Sequence, residues 1–184
     1  MPDDVDEPLH MEGGNRRIDR VLSPAFLENL ADLSLSEVKA RRDEALAERE
    51  YLSLLRRLLQ GRIDILGAER ARRTGGESTP LVERLPEALA DEGPTGSRGE
   101  VLRVTVPEHE LALARRRIEQ LTADTTISDP TALSEEQLAL AERRLRDEER
   151  VVSEARSAVI GAHDALQGEL KRRYKEDLSQ ITSP

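Results

Sequence analysis

The sequence predicts an all-α fold: an antiparallel two-helix coiled-coil hairpin with short accessory helices and flexible connectors. The first observation is composition, because the 184 residues are 35% charged and only 2% aromatic, which is typical of long amphipathic helices and unsuited to a compact sandwich or barrel. The second is that two long stretches contain no proline. The third is a heptad of apolar residues in the first stretch, formed by Val38, Ala45, Leu52, Leu59 and Leu66.

Six segments follow from this pattern along the chain. Serine before proline is a favourable helix start, so we expect a short helix after Ser23-Pro24. Gly75, Gly76 and Pro80 end the first long helix. The predicted segments are an acidic disordered tail at 1–14, a short N-terminal helical segment at 15–33, a long helix at 34–73, a flexible connector with short helices at 74–133, a second long helix at 134–178 and a tail at 179–184.

Charge and the missing residue types exclude several kinds of function. With 37 acidic and 28 basic residues, the chain carries a net charge of −9 and repels polyanions, so we expect a basic partner protein and neither direct DNA binding nor membrane attachment. Without cysteine there are no disulfides, thiolate-bound metals or thiol nucleophiles, and the three histidines lack metal-ligand spacing. We therefore expect a soluble cytoplasmic protein with no metal, no cofactor and no catalytic residues.

An internal repeat relates the two long helices at an offset of 100 residues. Segments 33–73 and 133–173 are identical at 11 of 41 positions, whereas two helices of this composition would share about three or four by chance. Both copies open with a capping box, in which Ser34 precedes a glutamate and Ser134 a glutamine by three residues, so the helix starts are aligned as well. The repeat indicates two copies of one helical design.

The polar residues of the repeat form a stripe on each helix. At about 100° per residue, they fall within roughly 80° of one another. The stripe consists of Ser53, Arg56, Gln60 and Asp64 in the first copy, and of Ser153, Arg156 and Asp164 in the second. The apolar seam lies roughly 100° to the same side of the stripe in both copies. If the two seams pack together, only an antiparallel pair places both stripes on one face, which is then a pseudo-twofold polar surface.

Arginine and carboxylate groups arranged about a twofold axis suit a ligand that is itself twofold. The planar guanidinium matches a phosphate, or the O6 and N7 edge of guanine, and a carboxylate accepts from guanine N1–H and N2–H. Serine adds a hydroxyl that reaches a phosphate oxygen. A cyclic dinucleotide containing guanine meets each of these requirements.

The stripe resembles the helix signature Glu-x3-Ser-x2-Arg-x3-Gln-x3-Asp of the actinobacterial RsiG anti-sigma factors, which carry it once on each helix of an antiparallel pair. The first copy reads Arg49, Ser53, Arg56, Gln60, Asp64, and the second reads Glu149, Ser153, Arg156, Ile160, Asp164. Each copy keeps four of the five signature residues. Arginine replaces glutamate at 49, and isoleucine replaces glutamine at 160. Together with the helical layout, the resemblance covers about residues 33–178.

The resemblance implies a specific function. Proteins of this family bind the second messenger cyclic di-GMP on the two-helix face, as a partially intercalated pair of molecules. The loaded form sequesters a WhiG-type sporulation sigma factor and so represses the transcription that this sigma factor directs. Under this interpretation Arg56 and Arg156 bind guanine edges or phosphates, and the other polar residues complete the hydrogen bonds. The implied ligand-binding residues are Ser53, Arg56, Gln60, Asp64, Glu149, Ser153, Arg156 and Asp164.

A second apolar flank predicts a surface for the partner. Leu54, Leu58 and Ile65 lie on the far side of the stripe from the seam, where a hairpin alone would leave them exposed. The acidic balance suits a sigma factor, whose DNA-binding surfaces are expected to be basic. The alternative is a structural or adaptor coiled-coil protein without a small-molecule ligand, in which the stripe only keeps the hairpin soluble.

Overall fold

The computed structural model describes residues 8–75, 107–122 and 129–182, and every regular element in these ranges is helical. The elements in chain order are α1 (Arg17–Val21), a 3-10 turn (Pro24–Phe26), α2 (Leu35–Gly75), α3 (Glu108–Thr122), a second 3-10 turn (Pro130–Ala132) and α4 (Glu135–Thr182). The all-α class predicted from the sequence is confirmed, with α2 and α4 as the long helices. Half of the predicted acidic tail, most of the predicted connector and the last two residues lie outside the described residues.

Capping boxes begin both long helices. Ser34 N donates to Glu37 Oε2 at 2.7 Å, and Glu37 N donates back to Ser34 Oγ at 3.2 Å. The same reciprocal pair joins Ser134 and Gln137, at 2.8 and 3.2 Å. These bonds satisfy backbone N–H groups that the first helical turn would leave unpaired, which explains why the two helices begin at equivalent positions.

The N-terminal segment differs in detail from the prediction. The element after Ser23 is a three-residue 3-10 turn, and the α-helical turn α1 lies before it. Asn29 has a left-handed φ of 51°, which a continuous right-handed helix cannot contain, so the 3-10 turn does not extend into α2. Asp19 anchors α1 by accepting from Met11 N at 2.6 Å and from Arg16 Nε at 2.9 Å. The hydrogen bond from Arg16 lowers the pKa of Asp19 to about 2.

The heptad positions form the buried seam of both long helices. None of these ten side chains is more than 1% exposed: Val38, Ala45, Leu52, Leu59 and Leu66 in α2, and Leu138, Leu145, Val152, Val159 and Leu166 in α4. The second set lies 100 residues after the first, so the two helices repeat the positions of their buried side chains as well as part of their sequence. Burial of each large aliphatic side chain contributes about 1.5–3 kcal/mol before the entropy of ordering the chain is subtracted.

Contacts divide the chain into two compact units. Among the described residues, the first unit contains 54–75, 107–122 and 129–151, and the second contains 8–53 and 152–182. Each unit has one short helix, one 3-10 turn, the N-terminal part of one long helix and the C-terminal part of the other. The two units therefore have the same internal plan, with α3 in the first and α1 in the second.

An arginine in the C-terminal part of a long helix shows the helix direction within each unit. In the first unit, Arg73 of α2 donates to the carbonyl oxygens of Leu133 at 2.8 Å and Pro130 at 3.1 Å, just before α4 begins. In the second unit, Arg173 of α4 donates to the carbonyl oxygen of Leu33 at 2.7 Å, just before α2 begins. Because the C-terminal part of each long helix contacts the residues just before the other long helix begins, α2 and α4 are antiparallel in each unit, as predicted.

Candidate functional site

Three predicted ligand-binding residues meet in the first unit. Arg56 of α2 donates from Nε to Glu149 Oε1 of α4 at 2.9 Å, and Gln60 Nε2 donates to the same oxygen at 3.4 Å. The Arg56 side chain is 37% exposed and that of Glu149 is 22% exposed, so solvent reaches the pair. An ion pair this exposed contributes only about 0–1 kcal/mol, and ligand groups can therefore replace its bonds at small cost.

Two predicted residues meet in the second unit. Arg156 of α4 donates from Nε to Ser53 Oγ of α2 at 2.9 Å. Ser53 Oγ in turn donates to the carbonyl oxygen of Arg49, one helical turn earlier, at 2.7 Å. Ser153 accepts through its carbonyl oxygen from the Ser157 hydroxyl at 3.0 Å. An arginine thus joins α2 to α4 in the second unit as in the first, but its acceptor here is a hydroxyl.

The two predicted aspartates stand apart from these contacts. Asp64 is exposed and makes no hydrogen bond or ion pair with any residue that the structure describes. Asp164 is also exposed, and its Oδ1 lies 3.2 Å from Nδ1 of His163. Neither carboxylate is brought to an arginine of the stripe, so both remain open to a donor from outside the protein.

The short helices α1 and α3 make equivalent contacts with the two long helices. The repeat found in segments 33–73 and 133–173 did not include them. Arg17 Nε of α1 donates to Glu48 Oε2 at 2.6 Å, and Arg117 Nε of α3 donates to Glu148 Oε1 at 2.6 Å. The isoleucine that follows each of these arginines is buried. The sequence signal is an Arg-Arg-Ile tripeptide around each arginine, repeated at the same offset of 100 residues. The duplicated design therefore includes the short helix that docks against each long one.

The basic ends of the long helices pair with acidic residues. Glu69 is fully buried and accepts from Arg72 Nε at 2.8 Å and Arg73 Nε at 2.7 Å. The hydrogen bonds from Arg72, with those from Arg73, lower the pKa of Glu69 from 4.5 to about 2. Glu169 makes the equivalent contacts with the arginines three and four residues later, and its pKa is also about 2. These arginines are therefore engaged within the protein.

The predicted partner-binding residues Leu54, Leu58 and Ile65 are half-buried. They keep part of their apolar surface in solvent, and the protein covers the rest. Among the described residues of the first unit, the exposed large apolar side chains are Leu113 of α3 and Leu140 of α4. The flank beside the stripe is thus partly covered by the protein itself.

The described ranges contain no candidate metal site and no candidate membrane span. No group of three or more histidine, aspartate and glutamate side chains there has an arrangement that could hold a metal ion. No helix in those ranges is long and apolar enough to cross a membrane. The polar side chains that α2 and α4 bring together within each unit form the candidate functional site.

Part of the chain is similar to a known protein family. Residues 24–89 match the family model described as RsiG-like. The matched range contains α2 and the first copy of the signature, from Arg49 to Asp64, whereas the second copy lies beyond it. No curated protein matches the chain. The family match confirms, over this segment, the resemblance indicated by the polar stripe.

Proposed function

We propose, from the premise that residues 24–89 are an RsiG-like segment, that this protein is a cytoplasmic anti-sigma factor. The family match supports a function of the anti-sigma type at the level of the family. The proposal goes further: the protein binds cyclic di-GMP on the polar stripes of α2 and α4, and the loaded form sequesters a WhiG-type sporulation sigma factor and represses its transcription. The contact between Arg56 and Glu149 is the observation that carries the ligand assignment.

That contact has the chemistry that a guanine-containing ligand requires. Arg56 provides N–H donors for guanine O6 and N7 or for a phosphate, and Glu149 provides acceptors for N1–H and N2–H. The two side chains bond to each other at 2.9 Å, with Gln60 beside them. A ligand that offers both an acceptor and donors exchanges this set of bonds for another, so neither charged group is left unpaired when it binds.

The second unit supplies further groups of the same kinds. Arg156 and Ser53, bonded at 2.9 Å, provide N–H and hydroxyl donors for a phosphate oxygen. The Ser153 hydroxyl is an additional donor one turn before Arg156. Asp64 and Asp164, both exposed, can accept from the amino groups of a base. All eight residues predicted from the sequence therefore offer a hydrogen-bonding group to the ligand.

Ligand binding of this kind stabilises the helix pair. The long helices bury a narrow seam, and helices depend on such packing for most of their stability. A ligand that binds only the folded state adds about 2.7 kcal/mol when its concentration is 100 times Kd. Loading with cyclic di-GMP would thus hold α2 and α4 firmly in the arrangement that the partner meets.

Charge and apolar surface support a sigma factor as the partner. The net charge of −9 favours association with a protein whose DNA-binding surface is basic. Leu54, Leu58 and Ile65 are half-buried, so each has apolar area left to bury against another protein. We therefore place the sigma factor on this flank of α2.

Titration calorimetry with cyclic di-GMP tests the ligand. We expect the wild-type protein to bind, and Arg56→Ala and Arg156→Ala each to lose most of that binding. Arg62→Ala is the matched control, because Arg62 is an exposed arginine of α2 that makes no bond with the described residues. Unchanged titrations in both site variants would contradict the residue assignment. If the wild-type protein itself does not bind, the alternative of a structural or adaptor coiled coil takes the place of the proposal.

Capture of a WhiG-type sigma factor tests the partner. We expect Leu54→Asp and Leu58→Asp to abolish capture in the presence of cyclic di-GMP, since each places a charge in the apolar contact, while nucleotide binding persists and shows that the fold is kept. Leu178→Asp, at an exposed position of α4, is the control and should leave capture intact. Undiminished capture by the two site variants would show that this flank is not the interface.

A further inference from the structure

The polar contacts of the two units differ at one pair of equivalent positions. In the first unit the carboxylate of Glu149 accepts from both Arg56 and Gln60. At the offset of 100 residues, the equivalents in the second unit are Arg49 for Glu149, Arg156 for Arg56 and Ile160 for Gln60. The second unit therefore has a guanidinium where the first has its acceptor.

Arg49 is half-buried, and its guanidinium makes no hydrogen bond or ion pair with the residues that the structure describes. It lies one turn before Ser53, whose hydroxyl donates to the Arg49 carbonyl oxygen at 2.7 Å and accepts from Arg156 Nε at 2.9 Å. Residues four apart on a helix share a face, with their Cβ atoms about 5–6 Å apart. Arg49 and Ser53 therefore lie on one face of α2, and Arg156 of α4 contacts that face through its bond to Ser53.

This set of groups selects one kind of ligand chemistry. A guanidinium has N–H donors and no acceptor, so Arg49 and Arg156 cannot receive the N1–H and N2–H of guanine. The side chain at 160 offers no polar atom. Phosphate oxygens only accept, and paired arginines bind them with strong charge-assisted bonds. An anion between the two guanidinium groups also relieves the repulsion between like charges.

We infer that Arg49, Arg156 and Ser53 form an oxyanion site in the second unit, and that this site binds a phosphodiester group. This inference rests on the proposed function and makes it more specific. Arg49 becomes a binding residue at the position where the signature has glutamate. The two copies of the stripe thus differ in what they bind, although their sequences are related by the repeat.

Calorimetry on the full chain tests this assignment with Arg49→Gln, which keeps polarity and removes the charge. We expect about a tenfold loss of affinity for cyclic di-GMP, the change that corresponds to one charge-assisted hydrogen bond. The melting temperature should not fall, because Arg49 has no bonded partner to lose among the described residues. Arg62→Gln, about 140° away around the same helix, is the matched control and should bind within twofold of wild type.

A second ligand separates phosphate binding from base binding. The analogue of cyclic di-GMP with 7-deazaguanine bases keeps the phosphates and lacks the N7 acceptor. If Arg49 binds phosphate, Arg49→Gln loses about the same factor with both ligands, and Arg49→Glu loses more. A loss confined to cyclic di-GMP, or a gain of affinity in Arg49→Glu, would assign Arg49 to the base and overturn the inference. If the wild-type protein binds cyclic di-GMP and Arg49→Gln binds it with the same affinity, the inference is overturned but the proposed function stands. If the wild-type protein does not bind, the proposed function itself is overturned.

Discussion

Replacement of Glu69 by glutamine probes a carboxylate that the first unit buries completely. Its two oxygens have different partners. Oε1 accepts from Arg72 Nη2 at 2.8 Å and from Arg73 Nε at 2.7 Å, and Oε2 accepts from Arg72 Nε at 2.8 Å. A glutamine in the same rotamer keeps the carbonyl oxygen and turns an amide donor toward one guanidinium. The substitution therefore removes one charge-assisted bond and the negative charge without changing the volume of the side chain.

The structure sets the size of the expected effect. A hydrogen bond to a charged group contributes about 1.5–3 kcal/mol. The Arg72 and Arg73 side chains are 33% and 24% exposed, so water can solvate the guanidinium groups again and keep the loss at the lower end of that range. We expect Glu69→Gln to lower the free energy of unfolding by about 2 kcal/mol, which corresponds to a fall in melting temperature of about 4–8 °C for a chain of this length.

Thermal unfolding followed by circular dichroism measures this effect at pH 7. Glu169→Gln is the matched control, because Glu169 has the equivalent arginine contacts but is partly exposed, with 12% of its side chain accessible. We expect the control to lose less stability than Glu69→Gln. Equal losses in the two variants would show that burial does not decide the strength of this contact, and a loss near zero at Glu69 would refute the assignment of its arginines as stabilising partners.

Three further outcomes are expected from the same melts. The pKa values of Asp19 and Glu69 are both about 2, below their ordinary values of 3.8 and 4.5, so both groups stabilise the folded protein above about pH 4.5. That stabilisation should disappear as the pH falls from about 4.5 to about 2. A melting temperature that stays constant over this pH range would contradict the prediction. Gly161→Ala should raise the free energy of unfolding by about 0.5–1 kcal/mol, since a Cβ there meets nothing within 4 Å, and a decrease would show a contact at that position. Leu52→Ala should lower it by about 2–5 kcal/mol, against almost no change for the exposed Leu178→Ala, and similar effects of the two would exclude Leu52 from the core.

Sequence periodicity was sufficient for the long helices, because both of their determinants are local. The heptad spacing of apolar residues such as Val38 and Ala45 determines the seam. A capping serine such as Ser34 determines where the helix begins. The short elements before them were harder to predict. The 3-10 turn Pro24–Phe26 is followed three residues later by Asn29, whose left-handed φ of 51° prevents a continuous helix there and was not predicted.

The site could be predicted as a set of residues but not as a set of partners. The offset of 100 residues identified Arg56 and Arg156 as equivalent, yet the structure pairs one with Glu149 and the other with Ser53. The two copies differ here in sequence, because position 49 holds an arginine where the equivalent position 149 holds a glutamate. Pairing between distant residues is decided by side-chain geometry in the folded protein, and for this reason sequence spacing alone did not reveal it.

The arginines that end the two apolar rows also decide how the long helices align. Arg73 occupies the heptad position after Leu66, and Arg173 the one after Leu166. Rows of similar aliphatic side chains can match each other again after a slip of one heptad, about 10 Å along the helix axis. A slip of α2 in the first unit would carry Arg73 away from the carbonyl oxygens of the 3-10 turn that precedes α4. Each arginine thus favours one helix register over others in which the apolar side chains would pack equally well.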